Sequence, residues 1–355
     1  MQKITRKPTR QIHLGNVPIG GGAPVSIQSM LSVPTLDLEA ALAQTAALEQ
    51  AGCQIIRFAV TGAEDIRAIP VLAENARVPL VADIHFDHKL ALQALEAGIS
   101  GLRINPGNIG SRAKVEAVVK AASERGVPIR IGVNSGSLPK ELVAKYGVSA
   151  EAMVEAALEH VRILEDLNFG AIKISVKASH LPLMLESYRA LSARVDYPLH
   201  LGITESGTLL AGSVKSAMAL GILLSEGIGD TLRVSLTADP IQEVAVAKQI
   251  LRNLELRQGL NIISCPTCGR TRVDLFSLAS EVESALQAYS YLPLTIAVMG
   301  CAVNGPGEAR EADFGIAGGD GEGLIFARGE ILKKVPERQL VAELIHLVEE
   351  WVNNV

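Results

Sequence analysis

Ala171-Ile-Lys-Ile-Ser-Val-Lys177, followed by the Leu- and Ala-rich stretch Pro182–Arg194, is one strand–helix unit. In the first run Ile and Val alternate with Lys173, Ser175 and Lys177, the period of a strand. The second lacks that alternation and has the composition of a helix. The same unit recurs in both directions along the chain. Strands are expected at Val25–Met30, Gln54–Val60, Leu80–His85, Gly101–Asn105, Ile129–Asn134, Ala171–Lys177, Leu199–Thr204 and Leu232–Leu236. Helices are expected at Leu38–Gln50, Lys114–Arg125, Ala150–Leu167, Pro182–Arg194, Val214–Leu224 and Gln242–Leu254. Eight βα units over about 230 residues predict an α/β fold, a closed (β/α)8 TIM barrel. An open doubly wound sheet competes, but no G-x-G-x-x-G turn follows the first strand. A hairpin is expected over residues 11–22, with the barrel running from 1 to 255 and a linker at Leu256–Asn261. A smaller α+β domain is expected over 262–355. It would carry strands near Leu294–Met299, Asp313–Ala317 and Gly323–Arg328, and helices at Leu275–Tyr289 and Glu337–Val352.

In such a barrel the chemistry lies at the C-terminal ends of the strands. Those ends carry Arg57; Asp83 and His85; Arg103 and Asn105; Arg130 and Asn134; Lys173, Ser175 and Lys177; His200, Thr204 and Glu205; and Arg233 with Ser235. Nearly all the pairs are spaced by two within apolar runs, so they share a face. Each residue singly has a bland reading as half of a buried ion pair. As a set they do not balance, because Arg57, Arg103, Arg130, Lys173, Lys177 and Arg233 face only Asp83 and Glu205. Unpaired buried charge is costly. The excess implies a polyanion, and the guanidinium fork suits phosphate. A diphosphate-sized ligand fits it better than one carboxylate.

The second domain contains Cys265-Pro-Thr-Cys268 and Gly300-Cys301-Ala-Val-Asn-Gly-Pro-Gly307-Glu308. A C-x-x-C turn aims two thiolates at one point, which suits a metal or an iron–sulfur cluster. Cys301 adds a third sulfur. Glu308 is the best local candidate for a fourth ligand, a hard and exchangeable donor on a soft centre. A structural zinc completed by His346 is the bland alternative, and a redox disulfide fits less well because it needs no third cysteine. Cys53, far upstream, reads as a core residue.

The chain has 355 residues, 48% hydrophobic and 20% charged, with 3% aromatics and a net charge of −5. That balance argues against a nucleic-acid or membrane surface. Four unevenly placed cysteines do not make a secreted disulfide framework. No apolar segment follows the basic N-terminus, so a cytoplasmic location is expected.

The segments Pro24–Met30, Ala82–Phe86, Leu102–Asn108, Arg130–Asn134, Lys173–Lys177, His200–Glu205, Cys265–Arg270 and Met299–Glu308 closely resemble the 4-hydroxy-3-methylbut-2-enyl diphosphate synthase family, over essentially the whole chain. The resemblance implies one [4Fe–4S] cluster per subunit, held by Cys265, Cys268, Cys301 and Glu308. It implies two-electron reduction of 2-C-methyl-D-erythritol 2,4-cyclodiphosphate in isoprenoid biosynthesis, with ferredoxin or flavodoxin as donor. It also implies a cluster domain resembling that of sulfite and nitrite reductases. Arg57, Arg103, Arg130, Lys173 and Arg233, with Asn134 and Ser235, would hold the diphosphate. Asp83, His85, Asn105 and His200 would line the pocket, with Glu205 as general acid. A homodimer is expected, the cluster domain of one subunit facing the barrel of the other. The rivals are a non-redox lyase or pterin-type synthase carrying a structural zinc, and a sensor of iron–sulfur status that does not turn over.

Overall fold

The computed structural model describes residues 4–105, 109–301, 307 and 309–354. Two compact units divide the chain, Met1–Arg257 and Gln258–Val355.

The first unit opens with a hairpin, β1 (Ile12–Leu14) and β2 (Val17–Ile19), turning through Gly15 at φ +56°. Ile12, Leu14 and Ile19 are buried against Ile55 and Val81, so the hairpin packs on barrel strands. Eight parallel strands follow: β3 (Ser26–Met30), β4 (Ile55–Ala59), β5 (Leu80–Asp83), β6 (Gly101–Ile104), β7 (Ile129–Asn134), β8 (Ile172–Lys177), β9 (His200–Leu201) and β10 (Thr231–Leu232). Their order is β8-β7-β6-β5-β4-β3-β10-β9, and a parallel bridge between Ile174 and Leu199 returns β9 to β8. Neighbours therefore run round the full circle, as the strand–helix repeat predicts.

The helices are α1 (Leu38–Gln50), α2 (Ile69–Asn75), α3 (His88–Glu96), α4 (Arg112–Glu124), α5 (Lys140–Tyr146), α6 (Ala150–Glu165), α7 (Leu181–Arg194), α8 (Leu209–Ser225) and α9 (Pro240–Asn253). Their starts are chemically marked. Asp37, Asp87, Ser149 and Asp239 accept hydrogen bonds from the first-turn amides of α1, α3, α6 and α9. Pro182 and Pro240 stand where a missing N–H costs nothing. The core between strands and helices is almost wholly Ile, Val, Leu and Ala.

Three short helices, α2, α3 and α5, escape the sequence reading because seven to nine residues carry little periodicity. β9 and β10 are shorter than the expected Leu199–Thr204 and Leu232–Leu236. Past Arg233, whose amide still donates to Leu201 of β9, the backbone groups find partners outside the ladder. The Leu236 amide donates to Glu243 and the Thr237 amide to the Gly207 carbonyl.

The second unit is a five-stranded sheet with two long helices. Its strands are β11 (Asn261–Ser264), β12 (Thr295–Met299), β13 (Phe314–Gly318), β14 (Glu322–Ala327) and β15 (Glu330–Pro336), in that spatial order. β11, β12 and β13 are parallel, and β13, β14 and β15 antiparallel. Helices α10 (Leu275–Ala285) and α11 (Leu340–Asn353) bury Leu278, Val282, Leu344 and Val348 with Ile296, Val298, Ile316 and Ile325 in a core of its own. β11 and β15 are additional to the expected strands. The end of the expected linker is ordered as β11. β15 is a sheet edge carrying Lys333 and Lys334, charges that blunt edge pairing.

Candidate active site

Strand register fixes the barrel site. Asp83 pairs in register with Arg103, Arg103 with Arg130, and Arg130 with Lys173. Four charged side chains from β5, β6, β7 and β8 thus lie on one level. Arg57, Arg103, Arg130, Lys173 and Lys177 are all buried, and Arg233, just past β10, is half-buried. Two glycines make room for this crowd. A Cβ at Gly132 would stand 2.7 Å from Arg103 Nε, and one at Gly202 would stand 2.5 Å from Lys177 Nζ.

Asp83 anchors one side. Its carboxylate accepts from Arg103 Nη1 at 3.0 Å, with Arg57 Nε at 3.7 Å and His85 Nε2 at 3.6 Å. Burial favours its neutral form, yet the His85 hydrogen bond and the charges of Arg57, Arg103 and Arg130 hold it well below the usual carboxylate range. Glu243 anchors the other side. It accepts from Arg233 Nε and Nη2 at 3.3 and 3.2 Å, from Ser29 Oγ at 2.9 Å and from the Leu236 amide at 3.1 Å. Sequence reasoning missed Glu243 because it sits on α9 rather than on a strand. The available signal was an acid inside the apolar stripe Pro240, Val244, Ala247 and Leu251.

Between these anchors the cations outnumber their partners. Arg130 Nε and Nη1, Lys173 Nζ and both His200 ring nitrogens are buried with no hydrogen-bond partner among the described residues. Burial first, then Arg130 and Arg57, brings the Lys173 ammonium down to about 7. Burial also lowers Arg57, to about 10, with Asp83 opposing and Arg233 and Arg103 adding to the fall. Burial and then Lys177 and Arg130 keep His200 neutral, well below the ordinary histidine value. Buried donors left without acceptors at this density form a site for an anion.

The remaining expected residues are placed less centrally. Asn134 ends β7 opposite Lys177 in register, and Ser235 lies two residues beyond Arg233. His85 is exposed, its ring tilted beside Phe86, and its Nε2 lies 2.9 Å from Arg103 Nη1. Asn105, past β6, lines a cavity of about 280 Å³ with Ser137, Lys140 and His160. Glu205 is exposed and has φ +54°. A non-glycine residue held in the left-handed region stores strain of roughly 1–3 kcal/mol, a conformation Glu205 shares with Asn168, Glu255 and Arg328.

In the second unit, β11 and β12 run parallel with Ser264 opposite Val298. Cys265 follows β11, and Cys301 follows β12, so both thiols stand at the same end of adjacent strands. The Gly300 amide donates to Cys265 Sγ at 3.2 Å, the kind of bond that stabilises a thiolate ligand. Cys268 is exposed, and the Arg270 amide followed by its guanidinium pulls that thiol below its ordinary value. Glu308 lies outside the described residues. Among the described residues, no three of His, Cys, Asp and Glu gather closely enough to hold a metal. His346 faces Glu350 at 3.4 Å on α11, and nothing described ties it to the cysteines. The donor chemistry fits an iron–sulfur centre: Cys265 and Cys301 follow adjacent strands, Cys265 already accepts an N–H···S bond, and Cys268, three residues on from Cys265, is the third soft sulfur.

Comparisons with known proteins agree with this division. The profile of the GcpE TIM-barrel domain matches residues 9–248, and that of the GcpE protein C-terminal domain matches residues 261–350. The 4-hydroxy-3-methylbut-2-en-1-yl diphosphate synthase (flavodoxin) of Geobacter sulfurreducens is 60% identical over 344 residues, covering 96% of this chain and 97% of that protein. The protein of the same name from Clostridium perfringens is 57% identical over 348 residues, covering 98% and 99%. Among solved structures, the N-acetylneuraminic acid (sialic acid) synthetase of Leptospira borgpetersenii superposes with a TM-score of 0.51 at 16% identity, covering 70% of this chain and 90% of that one. The 3-dehydroquinate dehydratase of Geobacillus kaustophilus gives 0.50 at 15% identity, covering 69% and 97%. These two share the fold alone.

Proposed function

The chain belongs to the GcpE family, and on that premise we propose that it reduces 2-C-methyl-D-erythritol 2,4-cyclodiphosphate to 4-hydroxy-3-methylbut-2-enyl diphosphate in isoprenoid biosynthesis. It is an oxidoreductase. Two electrons enter, the ring C–O bond opens, a hydroxyl leaves as water and the linear allylic diphosphate forms. The observation that carries the reading is the level Arg103–Arg130–Lys173, whose buried donors outnumber Asp83 and Glu243.

In this reading Arg57, Arg103, Arg130, Lys173 and Arg233 hold the diphosphate, with Asn134 and Ser235 at the rim. Asp83 and Glu243 aim the guanidinium forks of Arg103 and Arg233 and keep the ligand-free barrel from flying apart on its own charge. Asp83, His85, Asn105 and His200 line the pocket beside the carbon skeleton. Glu205 protonates the departing oxygen. Cys265, Cys268 and Cys301, with Glu308, would hold one [4Fe–4S] cluster per subunit. When bound, that cluster supplies the two electrons, received from a flavodoxin or a ferredoxin; the relatives' names favour flavodoxin. The unit over residues 262–355 is then the cluster domain, of the type found in sulfite and nitrite reductases. The supports for that assignment are its cysteine pattern and its parallel β11–β12 edge.

A homodimer is part of the proposal, and the topology supports it. α9 runs antiparallel to its strand, so the chain leaves the barrel at the face opposite the strand ends, a short segment before Cys265. A cluster placed against the barrel mouth of a partner subunit resolves this, giving two composite sites about a two-fold axis. No described helix is long and apolar enough to cross a membrane. A reducing cytoplasm is the compartment that keeps such thiolates free.

Lys173 gives the test of the binding site. At pH 8.5 its ammonium, brought down to about 7, is mostly deprotonated in the free protein. A bound diphosphate restores the charge, so binding should take up at least about one proton at that pH. Calorimetric titration with the cyclodiphosphate in two buffers of different ionisation enthalpy measures this. Burial also holds Lys177 well below its ordinary value, so Lys173→Met should lower the uptake by about one proton rather than abolish it. No uptake by the wild type would remove Lys173 from the diphosphate site. The sign for folding is the same: between pH 7 and the ordinary value of 10.5 the unfolded chain holds a proton that the folded chain does not. The ligand-free protein should therefore gain stability as pH rises through that window.

A further inference from the structure

The cavity of about 280 Å³ lies on the outer side of β7, between that strand and α6. Val133 of β7 lines it on one side, and Ala156 and His160 of α6 on the other. The turn Ser135–Ser137 and the start of α5 supply Ser137, Leu138, Pro139 and Lys140. Asn105, just past β6, completes the lining. Val133, Leu138, Pro139 and Ala156 make the wall apolar. The polar groups differ in depth: His160 is 6% exposed, whereas Ser137 and Lys140 are exposed.

His160 stands out on its helix. The other buried residues of α6 are Ala, Met, Val and Leu. Its Nδ1 is buried with no hydrogen-bond partner among the described residues. Burial brings the ring down to about 4, so at neutral pH one nitrogen donates and the other accepts. A buried polar atom left unsatisfied is a cost to folding that a bound partner removes.

We propose that the cavity is a second ligand site, apart from the barrel interior, for a small molecule with a hydrogen-bonding end, a short apolar body and an anionic head. The depth of the polar groups orders these parts. The hydrogen-bonding end reaches His160, and the body lies along Val133, Leu138 and Ala156. The head stays at the mouth with the Lys140 ammonium and the Ser137 hydroxyl. The volume is just under the ~300–1,000 Å³ of pockets that hold drug-sized ligands, so the body is short. Ordered water is the rival occupant, and so apolar a wall serves it poorly.

The choice of molecule rests on the functional reading above. The linear allylic diphosphate formed there has a hydroxyl at one end, a short branched body and a diphosphate at the other. The cyclic substrate, whose diphosphate closes on its carbon chain, is not extended in this way. Occupation bears on the barrel through two neighbours. Strand side chains alternate, so Val133 and Asn134 project to opposite faces of β7, the first to this cavity and the second to the barrel interior. Asn105 lies in the cavity's own wall. Both asparagines belong to the substrate pocket in that reading, so product held here slows turnover even at saturating substrate.

The test uses the full chain, purified anaerobically with its iron and given no reductant, so that the cyclodiphosphate binds without being consumed. With the barrel saturated in this way, calorimetric titration with the linear product should show about one further equivalent bound per chain. 3-Methylbut-2-enyl diphosphate, which lacks the hydroxyl, should bind about tenfold more weakly. So should the product to His160→Leu or Lys140→Glu, each having lost one contact. In His160→Leu the two diphosphates should bind alike. With reductant and little product, both variants should turn over like the wild type. Added product should lower kcat in the wild type, and about tenfold more should be needed in the variants. Circular dichroism confirms folding, and Lys140→Glu, at an exposed position, keeps the test readable if His160→Leu fails to fold. No further equivalent bound by the substrate-saturated wild type overturns the proposal, as does one bound equally well by both variants. Binding that senses His160 and Lys140 in a protein that never consumes the cyclodiphosphate upholds the site and overturns the functional reading instead.

Discussion

Cys265→Ala, Cys268→Ala and Cys301→Ala should each lower bound iron and sulfide from about four of each per chain to near zero, and turnover with them. The chain has no spare thiol. Cys53, the fourth cysteine, is buried in the barrel, lies 3.1 Å from the Ile55 carbonyl and has its thiol pushed up to about 11 by burial. It cannot serve as a thiolate at neutral pH. The loss should be confined to the second unit, because the barrel has its own core and contains none of the three. Anaerobic iron and sulfide analysis with far-ultraviolet dichroism checks both statements. Stoichiometric zinc in the native protein, unaffected by the substitutions, would revive the structural-metal reading.

Mixing two inactive chains should restore activity. Glu205→Gln lacks the acid but keeps the cysteines; Cys265→Ala lacks the cluster but keeps an intact barrel. In the mixed dimer one barrel with Glu205 meets one partner unit with all its ligands, so up to about half of wild-type turnover should return per heterodimer. The effect is a gain from near zero, which general damage to folding cannot imitate. Verified heterodimers that stay inactive would show that each chain serves its own site.

Much of this was legible in the residues, for definable reasons. Alternation in Ala171–Lys177 and its sister strands gave the barrel and placed Arg103, Arg130 and Lys173 on one face, because a strand offers only two faces. It could not give the partners of those cations. Glu243 reaches Arg233 from a helix that no strand period describes, and the pairing exists only once α9 folds back on β3 and β10. Glu205 was recognisable by its place after a strand, but its left-handed backbone was not, since nothing in Thr204-Glu-Ser206 demands φ +54°. The cysteines were plain from spacing, yet the placing of Cys265 beside the end of β12 depends on β11, a four-residue strand too short to show a period until it pairs with β12. The helix expected at Val214–Leu224 starts at Leu209, a beginning visible only in the fold.

The central claim joins a diphosphate-binding barrel to a reducing cluster in one enzyme. Its most direct test is a single anaerobic assay of the iron-loaded protein with the cyclodiphosphate and reduced flavodoxin, following the product by phosphorus resonance. The account predicts conversion to the linear allylic diphosphate with two electrons consumed per molecule, and none when either protein or reductant is left out. Substrate that remains intact over iron-replete, fully reduced, dimeric protein would contradict it.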